Sequence, residues 1–172
     1  MAQEKNMSGM LLQAGKYSFR NVIHEDCDTL LRWRNLDQVR LMSFNSDKIS
    51  YEDHLVWFKE MMMDDTKKYF IFTIDQKAVG IVSFFKFDKK NKSAYWSFHL
   101  GDVEVPRGTG TEMCRLGVAL AKDYLKIKIL NAEVIVANIK SIKIHEALSF
   151  EKIHHSCQVR NEKSYFMYRV YL

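Results

Sequence analysis

The six residues Val105-Pro106-Arg107-Gly108-Thr109-Gly110 constrain this chain most, because of what stands on either side of them. Upstream, Ser93 to Leu100 (Ser-Ala-Tyr-Trp-Ser-Phe-His-Leu) is aromatic-rich and alternating, as a strand should be. Downstream, Met113, Leu116, Leu120 and Tyr124 recur at helical spacing and predict one buried helix face. A Gly-x-Gly turn between strand and helix permits close backbone approach, since neither glycine has a Cβ to obstruct a ligand. The first amides of the helix lack internal acceptors and sit at the positive end of its dipole. Such a turn is a seat for an anion, and a pyrophosphate fits it.

At 172 residues and 47% hydrophobic content, the chain suits one well-packed domain. Aromatic content of 13% and a single proline argue against disorder. The formal charge is +5, but Lys and Arg are spread along the chain. The densest spots, Lys89-Lys90 with Lys92 and Lys126 with Lys128, read as solvated loop or helix ends. Anionic small molecules therefore fit the positive field better than nucleic acid. Cys27, Cys114 and Cys157 are odd in number and far apart, which suits reduced thiols in the cytoplasm rather than disulfides or a zinc site. No apolar run is long enough to span a membrane, and the polar start lacks a signal-peptide core.

Met1 to Lys16 has weak periodicity and is expected to be a mobile leader ahead of one domain over 17–172. Tyr17 to Ile23 predicts a first strand, and Asp26 is placed to cap a helix reaching Asn35. Ser50-Tyr51-Glu52-Asp53 fits a capping box opening a helix with Leu55, Phe58, Met61 and Met62 inward. Tyr69 to Ile74 and Ala78 to Phe87 read as a hairpin, Glu133 to Ala137 as a buried strand and Ile139 to Leu148 as a helix. Lys152 to Arg160 and Tyr165 to Tyr171 read as a final hairpin around Asn161-Glu162. Antiparallel strands followed by strand–helix–strand–helix imply an α/β domain with a central mixed sheet.

A second pattern joins the glycine turn. Asn138 follows the strand over Glu133 to Ala137, and Ser141, His145, Ser149 and Phe150 come after it at fixed spacing. Together the two segments resemble the GCN5-related N-acetyltransferase superfamily, over nearly everything after Lys16. Val105 stands where the superfamily often has Gln or Arg, His145 where it often has Tyr, and Ser149 where it usually has Gly. Trp33-Arg34-Asn35, His54 to Phe58, and Val79-Gly80 with Lys86 to Asp88 look like the branch acting on UDP-4-amino sugars, of the pseudaminic-acid pathway type. The Arg-Asn pair also occurs in acetylases of protein N-termini.

The resemblance implies a single-domain α/β fold with a mixed, mostly antiparallel sheet, splayed near Leu100 to admit acetyl-CoA. Backbone groups of Leu100, Asp102 and Val103 would pair with the pantetheine, and amides of Arg107, Gly108, Thr109, Gly110 and Thr111 would hold the pyrophosphate. Asn138, Ser141 and Lys143 join the implied cofactor set. His145 falls where the family protonates the departing thiolate; taken alone, it would be an ordinary helix histidine. Arg34, Asn35, His54, Lys86 and Tyr95 are the implied contacts to the UDP-amino sugar, although Arg34 could instead pair with Asp37. His99 shares a sheet face with Tyr95 and Ser97 and is the candidate for the base that deprotonates the acceptor amine. Metal, nucleic-acid and membrane partners are not implied, and a homodimer is left open. An acetylase of protein N-termini or another small amine, or a non-catalytic CoA-binding module, are the alternatives.

Overall fold

The computed structural model describes residues 10–101, 104–154 and 156–172. Its sheet begins with a hairpin, β1 (Met10–Ala14) and β2 (Tyr17–Asn21). A short 3₁₀ turn (His24–Asp26) leads into α1 (Cys27–Arg34), α2 (Asp37–Arg40) and α3 (Tyr51–Met63). Strands β3 (Lys68–Ile74), β4 (Lys77–Asp88) and β5 (Ser93–Leu100) follow, then α4 (Thr109–Ala119), which ends in a π-helical turn (Leu120–Tyr124). Last come β6 (Ile129–Ile135), α5 (Ile139–Ala147), β7 (Glu151–Lys152), β8 (Gln158–Arg160) and β9 (Lys163–Tyr171).

The strands form one sheet in the order β1-β2-β3-β4-β5-β6-β9-β7, with β8 on β9. All these pairings are antiparallel except β5 with β6. This is the expected α/β class with a mixed, mostly antiparallel sheet. Strand alternation splits the core in two. Phe70 and Phe72 on β3 join Phe84, Trp96, Met113, Leu116 and Tyr168. Ile71, between them, points the other way, to Leu30, Trp33, Phe58 and Met61. Each such side chain contributes roughly 1.5–3 kcal/mol through burial.

Local chemistry accounts for the element ends. The Ser50 hydroxyl accepts from the Asp53 amide at 3.1 Å, capping α3 as its sequence implies. Asp75-Gln76 and Asn161-Glu162 both have positive φ, the geometry of tight two-residue hairpins. Three expectations shift. Residues 10–14 form an edge strand where a mobile leader is expected through Lys16; residues 1–9 lie outside the described residues. Asp26 does not cap α1, because its carboxylate is held by Arg20 at 2.7 and 2.8 Å and by the Ile23 amide at 2.9 Å. The strand expected over Lys152 to Arg160 is broken into β7 and β8, which border different halves of β9.

Candidate functional site

Between β5 and β6 the sheet comes apart. The parallel ladder holds only at Ser93–Ile129, Ala94–Leu130 and Tyr95–Asn131. Asn131 sits at the fork: its Nδ2 donates to the Ala94 carbonyl at 3.2 Å, and its Oδ1 accepts from Arg169 Nε at 2.9 Å. Beyond it the two strands diverge, leaving unpaired edges that an extended ligand can use. A cavity of about 1200 Å³ fills the fork and reaches both faces of the sheet.

One wall is the glycine turn. Gly108 has φ +90, a conformation that L side chains rarely adopt, and nothing lies within 4 Å of where its Cβ would be. Leu100, Arg107, Gly108, Gly110 and Thr111 all line the cavity, and the amides of Gly110 and Thr111 open α4 without intrahelical acceptors. This fits a pyrophosphate. Thr109 is a correction to the expected cradle: it is 1% exposed, its hydroxyl donates to the Pro106 carbonyl at 2.7 Å and its amide to the same oxygen at 3.2 Å. It therefore ties the turn together from inside. Asp102 and Val103 lie outside the described residues. Opposite, Asn138 caps α5 by accepting from the Ser141 amide at 3.1 Å, and Asn138, Ser141 and Lys143 face the cavity.

His145 is not on that wall. It is 2% exposed, enclosed by Trp96, Phe98, Phe150 and Tyr168 with ring centroids 4.9–5.7 Å away. Its Nδ1 lies 2.8 Å from the Ser141 carbonyl, which can only accept, so Nδ1 carries the proton and Nε2 of the neutral ring has none to give. Burial pushes its pKa down to about 4, against the opposing effect of the Ser141 bond. The expected role as thiolate acid is corrected on both counts: the ring lies behind Trp96 and Phe98, and it holds no donor proton at Nε2.

The acceptor side is redrawn too. His54 is 2% exposed, packed between Trp57 and Phe58, with Nε2 2.8 Å from the Cys27 carbonyl. It docks α3 on α1 and does not reach the cavity. Asn35 uses its amide on the backbone of Ile49, donating at 2.9 Å and accepting at 2.8 Å. Arg34 donates to the Asn45 carbonyl at 2.7 Å, and Asp37 pairs with Arg40 instead. Asn35 and the Nη2 arm of Arg34 thus shape the 41–49 loop, whereas Arg34 Nη1 is buried without a hydrogen-bond partner among the described residues; neither residue is on the cavity lining, where contact with substrate is expected from the sequence. Tyr95 also falls short of the lining: it stacks on Phe85 and lies 4.7 Å beneath the Lys86 ammonium.

On the acceptor side two expected residues do face the cavity, Lys86 and His99. His99 Nε2 is buried without a hydrogen-bond partner among the described residues. Burial, and then the nearby Arg34 cation, push its pKa down to about 4. Taking a proton would set a second cation beside Arg34, which works against the role of base expected for His99. The sequence reading missed Glu133, which lies against Lys86 at 3.6 Å and Arg160 at 2.5 Å. Its signal was a lone acid in an almost wholly apolar strand, since a charge kept there needs partners. Among the described residues no group of three or more His, Cys, Asp or Glu could hold a metal ion, and no helix is long and apolar enough to cross a membrane.

Residues 17–151 match the model of the acetyltransferase (GNAT) domain family. The chain is 24% identical over 133 residues to acetyltransferase PseH of Campylobacter jejuni subsp. jejuni serotype O:23/36 (strain 81-176), covering 77% of this chain and 82% of that one. Its fold is similar to that of the crystal structure of C. jejuni N-acetyltransferase PseH, with TM-score 0.68, 19% identity, and coverage of 91% and 98%. It is also similar to spermidine N-acetyltransferase from Vibrio cholerae in complex with CoA and spermine, with TM-score 0.82, 13% identity, and coverage of 92% and 96%. These structural likenesses show the fold.

Proposed function

Because the chain belongs to the GNAT acetyltransferase family and is on that ground an N-acetyltransferase, we propose that it acetylates the 4-amine of a UDP-4-amino-4,6-dideoxy sugar, by direct transfer from acetyl-CoA. The observation that carries this reading is the charge of the cavity. Its described lining holds Lys86, Arg107, Lys140, Lys143 and Arg160 against one carboxylate, Glu133. A wall of that sign attracts a diphosphate and repels a polyamine. Arg107, Lys140 and Lys143 border the turn and α5 and suit coenzyme A phosphates; Lys86 and Arg160 stand on the acceptor side. The similarity to a spermidine acetyltransferase raises a polyamine as the rival, but such a polycation wants an acidic lining.

The acceptor amine has to lose a proton before it can attack. Glu133 is the proposed acceptor of that proton, directly or through a water. The departing thiolate, with the basicity of an ordinary thiol (pKa about 8.5), takes the second proton of the acceptor nitrogen. His99 serves as a neutral hydrogen-bonding group, and Lys86 as a contact to the nucleotide-sugar. The domain would act in the cytoplasm as a monomer or homodimer.

Release of CoA, measured over a panel of UDP-4-amino sugars, N-terminal peptides and spermidine, tests this. Turnover with a UDP-4-amino sugar well above the others is expected. Preference for spermidine or a peptide would overturn the acceptor assignment, and CoA binding without turnover on any amine would make the chain a binding module.

A further inference from the structure

Glu133 is gripped unevenly. Its Oε2 accepts from Arg160 Nη2 at 2.5 Å, whereas Oε1 lies 3.6 Å from Lys86 Nζ, outside hydrogen-bond range. Arg160 is itself fixed from several sides. Its guanidinium lies 3.5 Å above the centroid of Phe44 and 5.1 Å from that of Tyr165. It closes β8, next to the tight turn at Asn161-Glu162. Just beyond that turn, Lys163 Nζ donates to the carbonyls of Leu41 and Ser43 at 3.0 and 2.5 Å, tying the hairpin to the loop that carries Phe44. Lys86, by contrast, is 55% exposed, with its ammonium resting over Tyr95. Phe44, Lys86, Glu133 and Arg160 all line the cavity.

We propose that Arg160 is a positioning residue for acetyl transfer: it anchors Glu133 through Oε2 and leaves Oε1 to meet the acceptor amine, with Lys86 as the displaceable partner. This rests on Glu133 as the proton acceptor. One proton of the acceptor ammonium passes to Oε1 and on to solvent. The nitrogen lone pair then forms the C–N bond, the C–S bond breaks with its electron pair on sulfur, and the second N–H proton ends on that sulfur. Ammonium and thioester become amide, thiol and one released proton. Only a planar guanidinium can stack on Phe44 and hold a carboxylate oxygen in its plane, which an ammonium cannot do.

The test is steady-state kinetics of the full chain with the panel amine that turns over fastest, comparing wild type with Arg160→Gln, Arg160→Ala and Glu133→Gln. Arg160→Gln should lower kcat by about 30-fold or more through misplacement of the carboxylate, with KM for acetyl-CoA within about twofold of wild type. Guanidinium ion added at millimolar level should restore part of the lost kcat in Arg160→Ala. Wild-type kcat in Arg160→Gln beside an inactive Glu133→Gln would overturn the role of Arg160 alone. Wild-type turnover in Glu133→Gln would remove Glu133 as proton acceptor, and with it the proposal. If KM for acetyl-CoA and the melting temperature change along with kcat, and guanidinium rescues nothing, Arg160 only packs the wall and the proposal fails.

Discussion

In α5 the Nδ1 of His145 lies 2.8 Å from the carbonyl oxygen of Ser141, one turn earlier. That bond fixes which ring nitrogen carries the proton. It leaves Nε2 as a buried acceptor without a partner among the described residues, against the indole of Trp96 and the ring of Phe150. His145 thus works as a piece of aromatic core.

Its replacement should separate stability from chemistry. His145→Ala removes a ring packed by four aromatic neighbours and should cost about 3 kcal/mol, in the range of large-to-small core changes. His145→Phe keeps the volume and discards the unpartnered nitrogen, so its urea midpoint should stay near wild type with kcat retained. A wild-type midpoint with kcat reduced a hundredfold in His145→Phe would return the ring to the reaction.

Acid should destabilise the protein through its two buried imidazoles. The folded-state pKa values of His99 and His145 are both lowered from 6.5 to about 4. Above pH 6.5 neither state protonates these rings, and their contribution is complete. As pH falls toward 4 the unfolded chain binds protons that the folded one does not, so stability is lost across this window. The loss is at most about 3 kcal/mol for each ring. Urea midpoints from pH 7 to pH 4 should fall less steeply for His145→Phe than for wild type, and parallel slopes would contradict this.

Gly101 should not tolerate a side chain. A Cβ there would lie 2.0 Å from the Trp33 indole, which α1 presses onto the end of β5. Either the indole or the strand must move, and Gly101→Ala should cost about 3 kcal/mol or more. Chemical denaturation is the check; an unchanged midpoint would mean that α1 docks differently.

Gly108 should behave in the opposite way. Its Cβ would meet nothing, but its φ of +90 is strained for an L side chain. Gly108→Ala should cost only about 1–2 kcal/mol. Relaxation of that φ would turn the amides opening α4, so KM for acetyl-CoA should rise several-fold while kcat changes little. Unchanged KM would remove the turn from cofactor binding.

Much of the fold could be read locally. Alternation along Ser93 to Leu100, the glycine turn, the Ser50 cap and the turns at Asp75-Gln76 and Asn161-Glu162 are short-range features, and each lies where its residues imply. Leu100, Arg107, Gly108, Gly110 and Thr111 line the cavity as a strand and glycine turn can, whereas the Thr109 side chain finds an acceptor three residues back. The polar residues of the front half were less legible. Arg34, Asn35 and His54 have chemistry suited to a nucleotide, but the backbone carbonyls of Asn45, Ile49 and Cys27 take Arg34 Nη2, Asn35 Nδ2 and His54 Nε2 instead. No local pattern tells a polar side chain which of many carbonyls it will meet.

By itself the sequence determined the periodicities, turns and caps, and through them an α/β sheet with a glycine turn opening a helix. These depend on backbone sterics and on patterning within a few residues. The tertiary structure alone decided that β5 and β6 part after Tyr95 and that His145 faces inward. It also decided that Glu133, Arg160 and Phe44 meet, from a strand, a hairpin and a loop far apart in the chain. Those outcomes depend on which long-range partners satisfy each buried charge and ring, and only the packed chain brings those partners into reach.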